Sequence, residues 1–174
     1  GAAVALCKAL KDVGLHFQAV MSFHQCGGNV GDEVTIPLPE WVMKPARDKG
    51  LLYRTRSGVT STDCLSLSAD REGIFEGKDG SRNALQCFRD FMAAFVSACG
   101  EFMGTTVVEV QVGCGPCGEL RYPSYMLSNG WEYPGVGLVT AHDAGMLKML
   151  KAATSQDAPP GDLPDEQNSM PEAS

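Results

Sequence analysis

One stretch constrains the fold of this chain more than any other. Residues 105–112 (TTVVEVQV) carry four valines in eight positions, and the run ends at Gly113. Valine-rich runs bounded by glycine are typical of buried β-strands, so the loop that follows leaves the carboxyl end of a strand. In α/β folds catalytic side chains collect at that edge, because its loops vary while the strands hold them rigid. Glu119 lies in this loop and is the first candidate for a functional carboxylate.

A similar unit is predicted at the start of the chain. Apolar residues recur at helical spacing over residues 4–13, and Gly14 suits the end of a helix. Residues 15–24 (LHFQAVMSFH) then predict a strand that ends at His24. A helix, a short turn and a strand make one unit of a parallel sheet. His24 therefore closes its strand, at the same edge of the sheet where Glu119 follows the later strand.

The glycine-rich segment after His24 predicts a closing loop. Residues 27–32 (GGNVGD) match neither the G-x-G-x-x-G pattern nor a P-loop with its lysine, so no phosphate cradle is predicted. Three glycines in five residues instead favour a hinged loop that can cover a ligand. Asp32 lies at the end of this loop, and Cys26 lies at its root.

The rest of the chain predicts a long connection and two helices. Residues 35–80 are rich in proline and glycine, which favours a long βα connection with short strands. Its apolar residues expected to pack on the sheet are Leu65, Leu67, Ile74 and Phe75. Ser81 is expected to cap the next helix, whose apolar stripe is Leu85, Phe88, Met92, Phe95 and Val96. Residues 143–153 predict a last helix with Met146, Leu147 and Leu150 facing inward.

The cysteines leave one alternative open. Seven cysteines, an odd number scattered along the chain, favour reduced thiols in an intracellular compartment over a secreted disulfide framework. Cys114 and Cys117 are the exception, because CGPC after a strand is the pattern of a thioredoxin-like thiol oxidoreductase. Gly118 and the nearby Pro123 start a helix poorly, which counts against that function. One CxxC pair with three histidines does not complete a zinc site, so neither a metal nor a cofactor is predicted.

Charge and composition limit the partners. The net charge of −7 disfavours nucleic acid and anionic membranes, which select basic surfaces. No apolar run approaches the roughly 20 residues of a membrane span, and no cleavable signal is evident. The sequence therefore predicts a soluble intracellular protein, without distinguishing cytosol from plastid. Residues 154–174 hold five carboxylates, four prolines and no lysine or arginine, so they are predicted to form a disordered acidic tail.

Two long motifs resemble one enzyme family. Residues 113–125 (GCGPCGELRYPSY) and 129–135 (NGWEYPG) resemble the catalytic-acid segment of the β-amylases, which release maltose from the non-reducing ends of starch chains. Residues 21–32 (MSFHQCGGNVGD) and 36–42 (IPLPEWV) resemble an upstream segment of that family, in which residues 27–32 correspond to the substrate lid. The resemblance covers residues 1–153 and also includes RSG at residues 56–58.

This resemblance implies an α/β fold, part of a (β/α)₈ TIM barrel. At 174 residues the chain is shorter than the roughly 200 that a complete barrel needs. It is expected to hold about the third and fourth βα units, with long βα loops.

The resemblance also implies roles for single residues. Glu119 would be the general acid of an inverting hydrolysis of α-1,4-glucosidic bonds, and partial burial beside the strand end would help it hold a proton. His24 would contact the sugar at the cleavage subsite, and Asp32 would hydrogen-bond the terminal glucose from the lid. Inversion also needs a general base, roughly 6.5–9.5 Å from the acid. In the family this base is a second glutamate on a late strand, outside this chain.

The predicted partner is therefore an α-1,4-glucan such as starch or maltodextrin, and the isolated chain is expected to be inactive. Two alternatives remain. A non-catalytic glucan-binding or regulatory protein would keep the lid and His24 without hydrolysis. The more remote alternative is the CGPC thiol oxidoreductase.

Overall fold

The computed structural model describes residues 1–27, 31–56, 58–78, 80–120 and 140–158. The helices in these ranges are α1 (Ala2–Asp12), α2 (Glu40–Lys49), α3 (Ala84–Cys99) and α4 (Ala144–Thr154). The strands are β1 (Phe17–Ser22), β2 (Leu52–Arg54), β3 (Thr60–Leu65), β4 (Phe75–Gly77), β5 (Gly80–Arg82) and β6 (Val107–Gly113). Short 3₁₀ helices lie at Leu67–Arg71, Gly100–Phe102 and Pro116–Gly118.

The centre of the fold is a parallel pair, β1 and β6, with Ser22 opposite Gly113 at the carboxyl end. Helix α3 connects back to β6 and packs against α1. The core between these elements consists of Cys7, Ala19, Met21, Cys99, Phe102 and Val107. A parallel pair of strands must be joined by a long crossover, usually a helix, which is the βαβ unit of α/β folds. The predicted α/β fold with neighbouring parallel strands is therefore confirmed.

Strand β6 is less covered than its sequence predicts. Val108, Val110 and Val112 are exposed, although their composition indicates a buried strand. Within the part of the chain that the structure describes, β1 is the strand that pairs with β6. Strands of a parallel barrel are covered on both faces, so a valine-rich run of this kind suits a strand with further neighbours.

Helix α3 is confirmed, but its predicted cap is wrong. Asn83 caps the helix through a capping box, in which the Gln86 amide donates to Asn83 Oδ1 at 2.9 Å and Gln86 Oε1 accepts from the Asn83 amide at 2.8 Å. Ser81 lies instead in β5, where it pairs with Glu76 of β4. Because Ser81 is part of this β4–β5 hairpin, the helix cannot begin there and begins after Asn83 instead.

The apolar stripe of α3 is confirmed only in part. Phe88, Met92 and Phe95 pack against the buried clusters, whereas Leu85 and Val96 are exposed. The prediction of an entirely buried stripe is therefore wrong within the described residues. Helical spacing predicts which side chains share one face of a helix, but the residues that cover this face lie elsewhere in the sequence.

The connection between β1 and α3 contains a helix that the sequence did not predict. Helix α2 follows Pro39, includes Pro45, and ends at Gly50 with φ +66°. A proline inside a helix removes one backbone hydrogen bond. The prolines of this segment therefore favoured a turn-rich loop over a helix. Burial of Met43 and Ala46 against the β2 segment stabilises the helix despite that loss.

The short strands of the same connection are confirmed. Leu65, Ile74 and Phe75 are packed, but they belong to, or pack against, a buried cluster around Leu51, Ala69 and Ala84 that is separate from the core of β1 and β6. Leu67 does not, because half of its surface is exposed.

Helix α4 is also confirmed, and the segment that precedes it is hydrogen-bonded to β2. The Arg54 amide donates to the Thr140 carbonyl at 2.8 Å, and the His142 amide donates to the Arg54 carbonyl at 2.9 Å. Met146 and Leu147 are half-buried, but Leu150 is exposed, so its predicted inward position is wrong.

Two further expectations concern the chain ends and membranes. Residues 159–174, most of the predicted disordered tail, lie outside the described residues, and the division into residues 1–153 and 154–174 stays a prediction. Among the helices of the described ranges, none is long and apolar enough to cross a membrane.

Candidate active site

The two candidate loops leave the sheet side by side. Ser22 of β1 is paired with Gly113 of β6, so both strands end at the same edge. Strand β1 is shorter than predicted, and His24 lies two residues beyond its end. Glu119 lies six residues beyond the end of β6, after a tight turn.

The ring of His24 lies against the backbone of Gly118. A Cβ built on Gly118 would come within 2.6 Å of His24 Cε1 and 3.1 Å of His24 Nδ1. Gly118 has φ +74°, a left-handed conformation that glycine adopts without strain. The structure therefore brings His24 directly beside the residue that precedes Glu119.

The turn before Glu119 is tight and is closed by hydrogen bonds between its own backbone groups. The Gly118 amide donates to the Gly115 carbonyl, and the Glu119 amide donates to the Pro116 carbonyl, both at 3.0 Å. Cys117 lies inside the turn with φ +54°, which is unusual for a residue with a Cβ. A Cβ on Gly115 would come within 2.8 Å of the Glu119 carbonyl oxygen. Each of these contacts limits where the Glu119 backbone can lie.

Glu119 is exposed in the part of the chain that the structure describes. Partial burial at the strand end was predicted, and this prediction is wrong for these residues. The Glu119 backbone is extended, with φ −97° and ψ 137°, and directly follows the 3₁₀ turn. The strand end and turn hold its main chain, while the surroundings that would bury its carboxyl group are not among the described residues.

The predicted lid has a closed base. Cys26 and Ile36 form an antiparallel bridge, in which each amide donates to the other residue's carbonyl at 3.0 and 2.7 Å. A Cβ on Gly27 would lie 1.8 Å from the Val34 carbonyl oxygen, so the base admits only glycine there. Asp32 is exposed on this loop. Residues 28–30 lie outside the described residues.

The structure adds one residue that the sequence analysis missed. The backbone carbonyl of Asp63, on β3, accepts from the Gln25 amide at 2.6 Å. Its carboxylate Oδ2 accepts from the Cys117 amide at 3.0 Å. Asp63 thus contacts both loops that leave β1 and β6. Aspartate is depleted in strands, so an aspartate within the TSTDCL segment was the available signal.

Comparison with known proteins identifies the family. The model of glycosyl hydrolase family 14 matches residues 3–163. The chain belongs to this family. Beta-amylase 2, chloroplastic, from Oryza sativa subsp. japonica is 53% identical over 150 residues, which are 85% of this chain and 26% of the relative. Beta-amylase 1, chloroplastic, from Arabidopsis thaliana is 48% identical over 150 residues, which are 85% of this chain and 25% of the relative.

A solved structure of a β-amylase supports the predicted barrel fold. The catalytic domain of beta-amylase from Paenibacillus polymyxa matches with a TM-score of 0.65 and 28% identity, covering 86% of this chain and 33% of that one. That domain is a (β/α)₈ barrel, and the described residues of this family 14 chain are a part of such a barrel. The chain spans about a quarter of the length of the curated relatives it matches.

The CGPC pair of this family 14 chain is not built like a redox dithiol. Cys114 is half-buried and Cys117 is exposed, and the turn that contains Cys117 ends at Gly118 without continuing into a helix.

Two cysteines outside the CGPC pair have raised pKa values. Burial, and then the neighbouring Cys99 thiol, raise the pKa of Cys7, and burial raises the pKa of Cys87. A raised pKa disfavours the thiolate, which is the reactive form. No cluster of three or more metal-ligating side chains occurs among the described residues.

Proposed function

We propose that this chain is the segment of a β-amylase that carries the general acid. The whole enzyme would hydrolyse α-1,4-glucosidic bonds with inversion and release maltose from the non-reducing ends of starch-like glucans. Glu119 would protonate the leaving oxygen, His24 would contact the sugar at the cleavage subsite, and Asp32 would hydrogen-bond the terminal glucose. The observation that carries this proposal is the contact between His24 and Gly118 at the shared edge of β1 and β6.

The position of Glu119 suits a proton donor to a large substrate. It follows a strand end and a rigid turn, and its side chain is exposed, so a glucan chain can reach it. A glycosidic oxygen is a poor leaving group and needs a proton as the bond to the sugar breaks. A carboxylic acid holds its proton better when water is excluded. We expect the remaining barrel and the bound glucan to supply that exclusion.

His24 and Asp32 suit the recognition of a neutral sugar. His24 Nδ1 is buried and has no hydrogen-bond partner within the described ranges. Buried polar atoms normally find a partner, and a sugar hydroxyl would satisfy this one. Asp32 is exposed on a loop whose base is fixed by Cys26 and Ile36. A carboxylate there can accept hydrogen bonds from sugar hydroxyls once the loop covers them.

The general base is expected outside this chain. An inverting pair of carboxyl groups lies roughly 6.5–9.5 Å apart and leaves room for the attacking water. Glu109 lies within β6 and Asp32 lies on the lid, so neither takes this role in our proposal. Without the base, the isolated 174-residue chain is expected to release no maltose from soluble starch, which a reducing-sugar assay checks.

The test of the acid is Glu119→Gln in the full-length enzyme that carries residues 1–153. Glutamine keeps the shape and removes the proton, so kcat should fall by about 10²–10⁴, the range for a general acid. Maltose binding should stay within a few fold. Glu109→Gln is the matched control, because Glu109 is an exposed glutamate on β6, the strand that precedes the Glu119 turn. If Glu119→Gln kept more than about a tenth of the parental kcat, well short of that range, Glu119 would not be the acid.

The same enzyme also tests the alternative function. A parent that binds maltose tightly but releases none from starch would support a non-catalytic glucan-binding or regulatory protein. In that case Glu119→Gln and Glu109→Gln would change maltose binding to a similar, small extent.

A further inference from the structure

Asp63 lies between the two loops that carry the proposed site. Its carbonyl accepts from the amide of Gln25, the neighbour of His24, and its carboxylate accepts from the amide of Cys117, two residues before Glu119. We propose that Asp63 is a positioning residue, which holds the turn before Glu119 in a fixed place relative to His24. This inference rests on the proposed function, in which Glu119 is the general acid.

The strand that carries Asp63 is itself held in place. β3 pairs with β2 in an antiparallel manner at Leu52 opposite Leu65 and at Arg54 opposite Thr60, with an irregular register between these pairs. The next residue after Asp63, Cys64, is buried. Asp63 is half-buried and Cys117 is exposed, so the hydrogen bond between them lies near the surface. The carboxylate therefore projects from a fixed support.

The turn needs such a support because of its backbone conformation. Cys117 has φ +54° and ψ 19°, the left-handed region that residues with a Cβ disfavour. A carboxylate that accepts from a backbone amide makes a charge-assisted bond, which is stronger than a neutral one. The bond from the Cys117 amide to Asp63 thus favours the conformation that the side chain of Cys117 opposes. Without it, we expect the turn to relax.

Relaxation of the turn would displace Glu119. The Glu119 amide bonds to Pro116, and its carbonyl lies close to Gly115, so the acid moves with the turn. A misplacement of about 1 Å can cost about 10²-fold in rate, even when its cause is distant from the chemistry. Substrate binding through the lid does not depend on this hydrogen bond. The expected signature is therefore a loss in kcat with little change in KM.

The experiment uses the full-length enzyme that carries residues 1–153. Asp63→Ala removes the acceptor and should lower kcat by about 10–100-fold, with KM within a few fold. Asp63→Asn keeps an acceptor oxygen of the same reach and should restore most of kcat. Thr62→Ala is the matched control on the same strand, because Thr62 is exposed and directly precedes Asp63. It should leave kcat within a few fold of the parent.

Two double variants separate positioning from general destabilisation. Cys117→Gly should recover part of the kcat of Asp63→Ala, since glycine adopts φ +54° without the Cβ penalty. On the Glu119→Gln background, Asp63→Ala should cause little further loss, because residues that act through one another are not additive. If Asp63→Ala does not fold, Asp63→Ser, whose hydroxyl is too short to reach the Cys117 amide, takes its place.

The outcomes that overturn the inference are distinct from those that overturn the proposed function. Parental kcat in Asp63→Ala would exclude positioning by Asp63. So would the same fold-loss in kcat from Asp63→Ala on the parental and on the Glu119→Gln background, because independent effects are additive. Both outcomes leave Glu119 as the acid. High activity in the single variant Glu119→Gln would instead exclude the proposed acid, whatever Asp63 does.

Discussion

The imidazole of His24 occupies the space where a side chain of Gly118 would begin, because a Cβ on Gly118 would lie 2.6 Å from His24 Cε1. Real Cβ atoms do not approach another heavy atom so closely. Gly118 also has φ +74°, so a side chain there is unfavourable for two separate reasons. The contact joins the loop after β1 to the residue before Glu119. Any change that separates these two residues should therefore alter the proposed active site.

The first prediction tests this contact with Gly118→Ala in the full-length enzyme. The new methyl group should displace the His24 ring or the Glu119 turn, and kcat should fall by about tenfold or more. Gly104→Ala is the matched control. Gly104 has φ +75°, but an added Cβ there would meet nothing within 4 Å, so this variant carries the conformational penalty alone. Both variants should lose roughly 1–2 kcal/mol of stability for that penalty. Equal kcat values in the two variants would show that the His24 contact has no catalytic consequence.

The second prediction concerns the lid. Asp32→Asn removes the charge of an exposed carboxylate that is proposed to bind the terminal glucose, so KM for maltooligosaccharides should rise, along with any loss in kcat. Glu33→Gln is the control, because Glu33 is the next residue and is also exposed. Steady-state kinetics of both variants give the comparison. An unchanged KM in Asp32→Asn would exclude a role for Asp32 in glucose binding.

The local sequence pattern was sufficient to predict those helices and strands whose formation depends mainly on their own residues. The helical spacing in α1 and α3, the valines of β6 and the apolar residues within 143–153 each predicted the correct element. Helix α2 was missed because Pro39 and Pro45 indicate turns, and the burial of Met43 that overrides them is a tertiary effect. Ser81 was a plausible cap, but the β4–β5 hairpin recruits it.

The site was predictable to the same depth. His24 was predicted at a strand end and Glu119 after one, and the parallel pairing of β1 with β6 brings these ends together. Asp63 was not found, because the contact with Cys117 joins residues 54 positions apart in sequence. The burial expected for Glu119 is absent from the described residues, because burial depends on neighbours that the local sequence does not contain.

The third prediction concerns the CGPC motif. Since the turn ends at Gly118 rather than continuing into a helix, Cys114 and Cys117 should not act as a catalytic dithiol. The chain should reduce insulin disulfides in the presence of dithiothreitol no faster than a Cys114→Ser/Cys117→Ser variant. A clear rate enhancement that the double serine variant loses would favour the thiol oxidoreductase instead.

A buried polar cluster around Asp143 supports the last helix. Asp143 is 3% exposed, and its Oδ2 accepts from the Ser66 hydroxyl at 3.0 Å. Its Oδ1 accepts from the Ser68 hydroxyl at 3.0 Å and from the Met146 amide at 3.1 Å, which caps α4. A single carboxylate thus joins the start of α4 to the 3₁₀ helix at Leu67–Arg71.

The fourth prediction is that Asp143 contributes to stability and not to chemistry. Asp143→Ala removes a helix cap, worth about 1 kcal/mol, and leaves two buried serine hydroxyls without their charged acceptor, so the free energy of unfolding should fall by about 3 kcal/mol. Asp143→Asn keeps one acceptor oxygen and should lose less. Lys148→Ala, on the exposed side of α4, should change the free energy of unfolding by less than about 0.5 kcal/mol. Urea denaturation of the full-length protein measures all three, and kcat at 25 °C should stay within a few fold, because the hydrogen bonds of Asp143 reach neither His24 nor the turn before Glu119. A large loss of kcat in Asp143→Asn at unchanged stability would show instead that this cluster takes part in the reaction.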